Sequence, residues 1–133
     1  MDEDEKQKYE SLDTVTSGPV TEAGNKFSAT AAEVDTYAKV RSFYKKVVSD
    51  PECAREDHNI IVYRFRDKSG KIHEDYQDDG EYGAGRKILK AMHDNNVENA
   101  AVVVTRVFAK HIGLRRFSIM EEVAIAALRK LSD

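Results

Sequence analysis

Residues 99–108 read Asn99-Ala100-Ala101-Val102-Val103-Val104-Thr105-Arg106-Val107-Phe108, and their pattern decides the fold class. Two alanines and three valines follow one another with no polar alternation, so the segment predicts a strand covered on both faces. Helical patterns flank it. Upstream, Ile88, Leu89 and Met92 recur at helical spacing, and Asn95-Asn96 suits a left-handed helix end. Downstream, a helix from about Ser118 to Leu131 carries Ile119, Val123, Ala126, Ala127 and Leu128.

Further out, Ile60 to Phe65 is β-branched and aromatic. Asp67-Lys68-Ser69-Gly70 reads as a hairpin turn, and Ile72, Glu74 and Tyr76 continue on a return strand. Earlier, Phe27, Ala29 and Ala31 share one side of an extended stretch ending near Val34. Asp35 or Thr36 caps the following helix. There Tyr37, Val40, Tyr44 and Val47, with Phe43 beside them, form an inner stripe, while Lys39, Arg41, Lys45 and Lys46 face water. Pro51 limits that helix. The order is β-α-β-β-α-β-α, which predicts an α+β two-layer sandwich: a mixed sheet with helices on one face. Residues 1–25 are polar and acidic with little apolar periodicity and read as a flexible tail, leaving one domain over residues 26–133.

The 133 residues suffice for one core, and a hydrophobic fraction of 41% beside 34% charged residues fits a globular chain. No run reaches the roughly 18 apolar residues of a membrane span. The charged stretch from Met1 to Lys8 lacks a signal-peptide h-region. With Cys53 as the lone cysteine there is no internal disulfide or clustered-thiolate metal site. A cytoplasmic setting is the expectation. Residues 1–10 account for the net charge of −3, so the remainder is neutral. That balance argues against a globally electrostatic nucleic-acid binder.

Three segments hold candidate chemistry. Asp78-Asp79-Gly80-Glu81, followed by Tyr82-Gly83-Ala84-Gly85, packs three carboxylates into four residues. Such a loop either binds a hard cation or caps a helix N-terminus, where the dipole favours negative charge. Its glycines match neither a dinucleotide fingerprint nor a phosphate loop. His58-Asn59 stands at a strand entrance, as a base or as a hydrogen-bonded structural residue. From Thr105 to Phe117, Arg106, Lys110, Arg115 and Arg116 occur with no acidic residue, interleaved with Phe108 and Phe117. Cations beside rings suit single-stranded RNA, an acidic protein surface, or simply a solvated loop. No nucleophile elbow appears, Cys53 has no local histidine partner, and no motif requires a cofactor.

Taken in order, these segments resemble the IMPACT/YigZ family from roughly Phe27 to Leu131. The likeness rests on Asp78-Asp79-Gly80-Glu81 with Ala84-Gly85 and the Ile88-Leu89 helix. It rests also on Asn99 with the valine strand ending in Thr105-Arg106, and on His58-Asn59 with Tyr63-Arg64. The short spacer from Glu81 to Gly85, and Arg116-Phe117, resemble the eukaryotic IMPACT branch. The resemblance implies a fold like the second domain of the fifth small-subunit ribosomal protein. It also implies a non-catalytic role in translational control: binding the ribosome-associated activator of the general-control kinase, with ribosome and actin association known in the family. Asp78, Asp79, Glu81, Arg106, Lys110, Arg115 and Arg116 are then the expected partner contacts, as two oppositely charged surfaces. RNA binding through the basic loop, or metal-dependent hydrolysis through the carboxylates and His58, are the alternatives. Two departures stand out: a polar stretch where eukaryotic members carry an RWD domain, and Ala109-Lys110 in place of a Gly-Gly pair.

Overall fold

The computed structural model describes residues 12–51 and 58–132. In chain order its elements are β1 (Val15–Glu22), β2 (Asn25–Glu33), α1 (Tyr37–Val48), β3 (His58–Arg66), β4 (Ile72–Gln77), α2 (Ala84–Asp94), β5 (Ala100–Val107) and α3 (Arg115–Lys130). The strands form one sheet in the order β1-β2-β5-β3-β4.

The α+β class is borne out, but the sheet is antiparallel throughout rather than mixed. The connection through α1 does leave β2 and β3 running the same way. β5 then inserts between them, antiparallel to both, so no parallel pair forms. The expectation of helices on one face is also corrected. β5 is buried on both sides, with Ala100, Val102 and Val104 in one core and Ala101 and Val103 in the other. The first core joins Phe27, Ala29, Ala31, Ile60 and Val62 to α2 and α3, through residues such as Ile88, Met92, Met120 and Val123. The second packs Ala32, Val34, Ile61 and Phe65 against Val40, Phe43 and Val47 of α1. An all-apolar central strand demands this cover on both sides. Full burial of a side chain such as Phe43 or Met92 contributes roughly 1.5–3 kcal/mol.

The tail reading is corrected over part of its length. Residues 15–22 form β1, paired with β2 from Val15↔Ala31 to Glu22↔Asn25, with a register break between Ser17 and Val20. Gly18-Pro19 falls in that break. A proline has no N–H for a ladder, and an edge strand tolerates it at an irregularity. The acidic run up to residue 11 and Cys53 lie outside the described residues.

Local chemistry fixes the helix ends. Thr36 caps α1, its hydroxyl accepting from Lys39 N at 3.2 Å. α2 ends with Asn96 in the left-handed region, φ 54°. Val97 N donates to Met92 O at 2.9 Å and Asn96 N to His93 O at 3.1 Å, the paired bonds of a Schellman motif. The β3–β4 turn is held by Asp67, whose Oδ1 accepts from Ser69 N and Lys71 N.

Candidate functional site

The ladder between β3 and β5 brings two separate motifs together. His58 pairs with Arg106 and Asn59 with Thr105, so the start of one strand lies beside the end of the other. Thr105 Oγ1 donates to Asn59 Oδ1 at 2.7 Å. Asn59 N in turn donates to Asp79 Oδ2 at 2.7 Å, and His58 Nδ1 lies 2.6 Å from Asp79 O. A carbonyl oxygen only accepts, so Nδ1 carries the hydrogen in that contact.

The acidic segment makes a tight turn against this ladder end. Asp79 (φ 49°) and Gly80 (φ 89°) are both left-handed, and Glu81 N returns to Asp78 O at 3.0 Å, as a type I′ turn requires. A Cβ at Gly80 would stand 2.9 Å from the His58 ring, so the imidazole packs against bare backbone there. Asp78 caps α2 from upstream: Oδ2 accepts from Gly83 N at 2.9 Å and Oδ1 from Gly85 N at 2.8 Å. Its charge sits at the positive end of the helix dipole. Gly85 must be bare as well, because a Cβ would lie 2.4 Å from the Tyr76 ring and 2.7 Å from Asp78 Oδ1.

Glu81 turns inward. Its Oε1 accepts from Arg106 Nη1 at 2.5 Å and its Oε2 from Arg116 Nε at 2.7 Å, while His58 Nε2 stands 3.7 Å away. Arg106 also donates through Nη2 to Asn25 Oδ1 at 3.0 Å and Lys110 O at 3.1 Å. Its guanidinium lies 5.0 Å from the Phe108 ring centre and 5.6 Å from that of Phe27. Its Nε has no hydrogen-bond partner among the described residues. Arg116 donates to Gly113 O at 2.6 Å and rests 4.2 Å from the Phe117 ring centre. One carboxylate thus organises β5, α3 and the 78–85 loop, with two guanidiniums around it. Buried charge persists only when paired and hydrogen-bonded in this way.

The expected partner contacts therefore divide. Glu81 and Arg106 are each 3% exposed and bound to one another, so neither presents a docking charge. Glu81 and Arg106 drop out of the two expected charged surfaces into one internal ion pair, because the ladder brings acid and base together, while Asp79, Lys110 and Arg115 remain exposed. Arg116 completes the cluster, and Arg115 reaches Glu22 of β1 at 2.8 Å. With Arg106 and Arg116 held on Glu81, the RNA reading keeps only Lys110 and the exposed Arg115, itself paired with Glu22, as accessible cations. Of the carboxylates named by the hydrolase reading, Asp78 caps α2, Asp79 accepts from Asn59 N through Oδ2, and Glu81 holds two guanidiniums, so each already has a structural task. Tyr63 does not join the site. It lies across from Ala101 and stacks on Phe65 beside α1.

Asn25 was missed. It is wholly buried, and its Oδ1 accepts from Arg106 Nη2, Ala109 N at 2.9 Å and Lys110 N at 3.3 Å. In sequence it follows Gly24 and reads as a linker turn, and no local signal points to its role 81 residues from Arg106. Around the cluster, Tyr82 (83%) and Leu114 (78%) stand far into solvent, with Phe108 and Val107 half exposed.

Residues 23–128 match the Impact N-terminal domain. The chain belongs to this family. It is 32% identical over 129 residues to the Protein IMPACT homolog of Schizosaccharomyces pombe, covering 96% of this chain and 45% of that protein. Against the Protein IMPACT homolog of Dictyostelium discoideum the identity is 37% over 89 residues, covering 67% and 26%. A solved structure of the two-domain translational regulator Yih1 superposes with a TM-score of 0.64 at 30% identity, covering 88% of this chain and 46% of that one. The chain spans less than half the length of these relatives. Within this Impact N-terminal domain, Ala109-Lys110 introduces no strain: neither residue has a left-handed backbone, and both amides are spent on Asn25. No helix among the described residues is long and apolar enough to cross a membrane.

Proposed function

We propose that this Impact N-terminal domain is a non-catalytic docking module of cytoplasmic translational control. Its partner is the ribosome-associated activator of the general-control kinase. The contact surface is the rim of the Glu81 cluster, where Tyr82, Phe108 and Leu114 supply apolar anchors and Lys110 supplies charge. The observation that carries this reading is the exposure of Tyr82 and Leu114 on two segments that Glu81 ties together through Arg116. Exposed apolar groups on a rigid support are unfavourable in isolation and gain on being covered. The cluster beneath them has its carboxylate oxygens satisfied internally, which favours a role as support over one as reagent.

Affinity purification of the tagged chain from a eukaryotic extract tests the reading. Recovery of the activator by the unaltered chain, and its loss from a Tyr82→Ala, Leu114→Ala double variant, is expected. Recovery of no translation factor, ribosome or kinase activator overturns it.

A further inference from the structure

At the other end of β3 from His58, on the face covered by α1, three side chains form a hydrogen-bonded row. The hydroxyl of Tyr37, a residue 51% exposed at the start of α1, lies 3.1 Å from Nδ1 of His73 on β4. His73 Nε2 lies 2.8 Å from Asp67 Oδ2. The other oxygen of Asp67 accepts from the Ser69 hydroxyl at 2.6 Å, Ser69 N at 2.8 Å and Lys71 N at 3.0 Å. The Ser69 hydroxyl first, then His73 and the Lys71 amide, hold the Asp67 carboxyl well below the usual carboxylate range. An ionised carboxylate only accepts, so Nε2 carries the hydrogen in that contact. When Nδ1 carries no hydrogen, its lone pair faces the Tyr37 hydroxyl.

The surroundings keep this orientation. Phe65 stacks on the His73 ring at 5.0 Å and 18°, and the Tyr37 ring stands edge-on to both, 5.2 Å from Phe65 and 5.3 Å from His73. Tyr63 is pushed up to about 12 by its burial and then by the Tyr37 phenol beside it. The Tyr63 ring stands edge-on to that of Tyr37, their centres 5.9 Å apart at 81°. The row has the nucleophile, base and orienting acid of an activated hydroxyl, on a tyrosine with half of its surface exposed.

The geometry points to Tyr37 as a nucleophilic, covalently modifiable hydroxyl for electrophilic acyl, sulfonyl or phosphoryl centres, with His73 as its base and Asp67 positioning that base. With a sulfonyl fluoride, the Tyr37 oxygen bonds to sulfur as the S–F bond breaks. Fluoride leaves, the phenolic proton passes to His73 Nδ1 and on to water, and the Nε2 hydrogen stays on its bond to Asp67.

Benzenesulfonyl fluoride added to the full chain, followed by peptide mapping, tests this. Tyr82 is 83% exposed and serves as the internal reference. Tyr37 is expected to be labelled at least about tenfold faster than Tyr82, a modest fraction of what a positioned base supplies. His73→Gln keeps a hydrogen-bonding side chain but accepts no proton, and is expected to bring Tyr37 down to the rate of Tyr82. Asp67→Asn is expected to slow Tyr37 several-fold and leave Tyr82 unchanged. Equal rates at Tyr37 and Tyr82 in the unaltered chain, or Tyr37 labelling that survives either variant, overturns the assignment. The first comparison needs no variant, so a folding defect does not obscure it.

Discussion

Glu81 and Arg106 lie 2.5 Å apart in the protein interior, each with 3% of its surface exposed. Arg116 shares the same carboxylate from the helix that follows. Losing the carboxylate leaves a buried guanidinium uncompensated, and breaking a buried pair from one side costs about 3–5 kcal/mol. Glu81→Ala is therefore expected to lower the unfolding free energy by that amount in urea titration. Arg116→Ala leaves Glu81 bound to Arg106 and costs less, about 1 kcal/mol. A Glu81→Ala loss below that of Arg116→Ala would contradict the cluster's role as support.

Gly85 is the second residue of α2, and in a helix interior exchange of glycine for alanine ordinarily stabilises by about 1 kcal/mol. Here the sign reverses. The added methyl would lie 2.4 Å from the Tyr76 ring and 2.7 Å from the Asp78 carboxylate that caps the helix. Overpacking of this kind costs about 1–3 kcal/mol, and loss of the cap would add to it. Gly85→Ala is expected to be destabilising overall by thermal and urea unfolding, and a neutral result would mean that Tyr76 yields freely.

Shifted groups contribute at both ends of the pH range, Glu74 and Glu98 beside Asp67 on the acid side and Lys90 beside Tyr63 on the alkaline side. Asp67 titrates below its ordinary value in the folded chain, first through the Ser69 hydroxyl and then His73. Its contribution is present above the unfolded value, about 4, and is lost as pH falls below it. Tyr63 is raised to about 12 by burial. Its contribution is complete below the unfolded value, about 10, and is lost as pH rises through the folded one. Urea midpoints measured across pH are expected to fall at both ends. Tyr63→Phe should make the alkaline limb shallower and Asp67→Asn the acid limb, each leaving the other unchanged.

Much of this was legible in the residues, and the failures have physical causes. The Val102–Val104 run identified a strand buried on both faces, and that reading already required a helix on each. Counting elements in order favoured one face instead, because element order carries no information on which side a crossover passes. Likewise, β2-α1-β3 reads as a parallel unit until β5 is known to enter between its strands. β1 was hidden by Gly18-Pro19, which mark a linker in sequence and a register break at a sheet edge in space. At the site, the motifs around His58, Glu81 and Arg106 were all visible. Their charges were assigned to separate surfaces because distance along the chain conceals that a ladder joins them. Asn25 gave no signal, since its value lies in three donors that arrive from residues 106–110.

The rim above the cluster supports the last prediction. Tyr82 and Leu114 are 83% and 78% exposed, so truncating them removes little packing from the folded chain. Substitutions at such positions usually stay within about 0.5 kcal/mol of the parent stability. An interface anchor behaves differently, since truncation at a covered apolar contact costs about 2 kcal/mol or more, beyond tenfold in Kd. Tyr82→Ala and Leu114→Ala are therefore expected to keep the parent urea midpoint while weakening binding to the purified kinase activator by at least about tenfold. Lys110→Glu should chiefly slow association and make it less sensitive to salt, because a rim charge acts on encounter more than on residence. If both truncations leave binding intact in a folded chain, the docking surface lies elsewhere, and the exposed rim is a local consequence of how Glu81 draws β5 and α3 together.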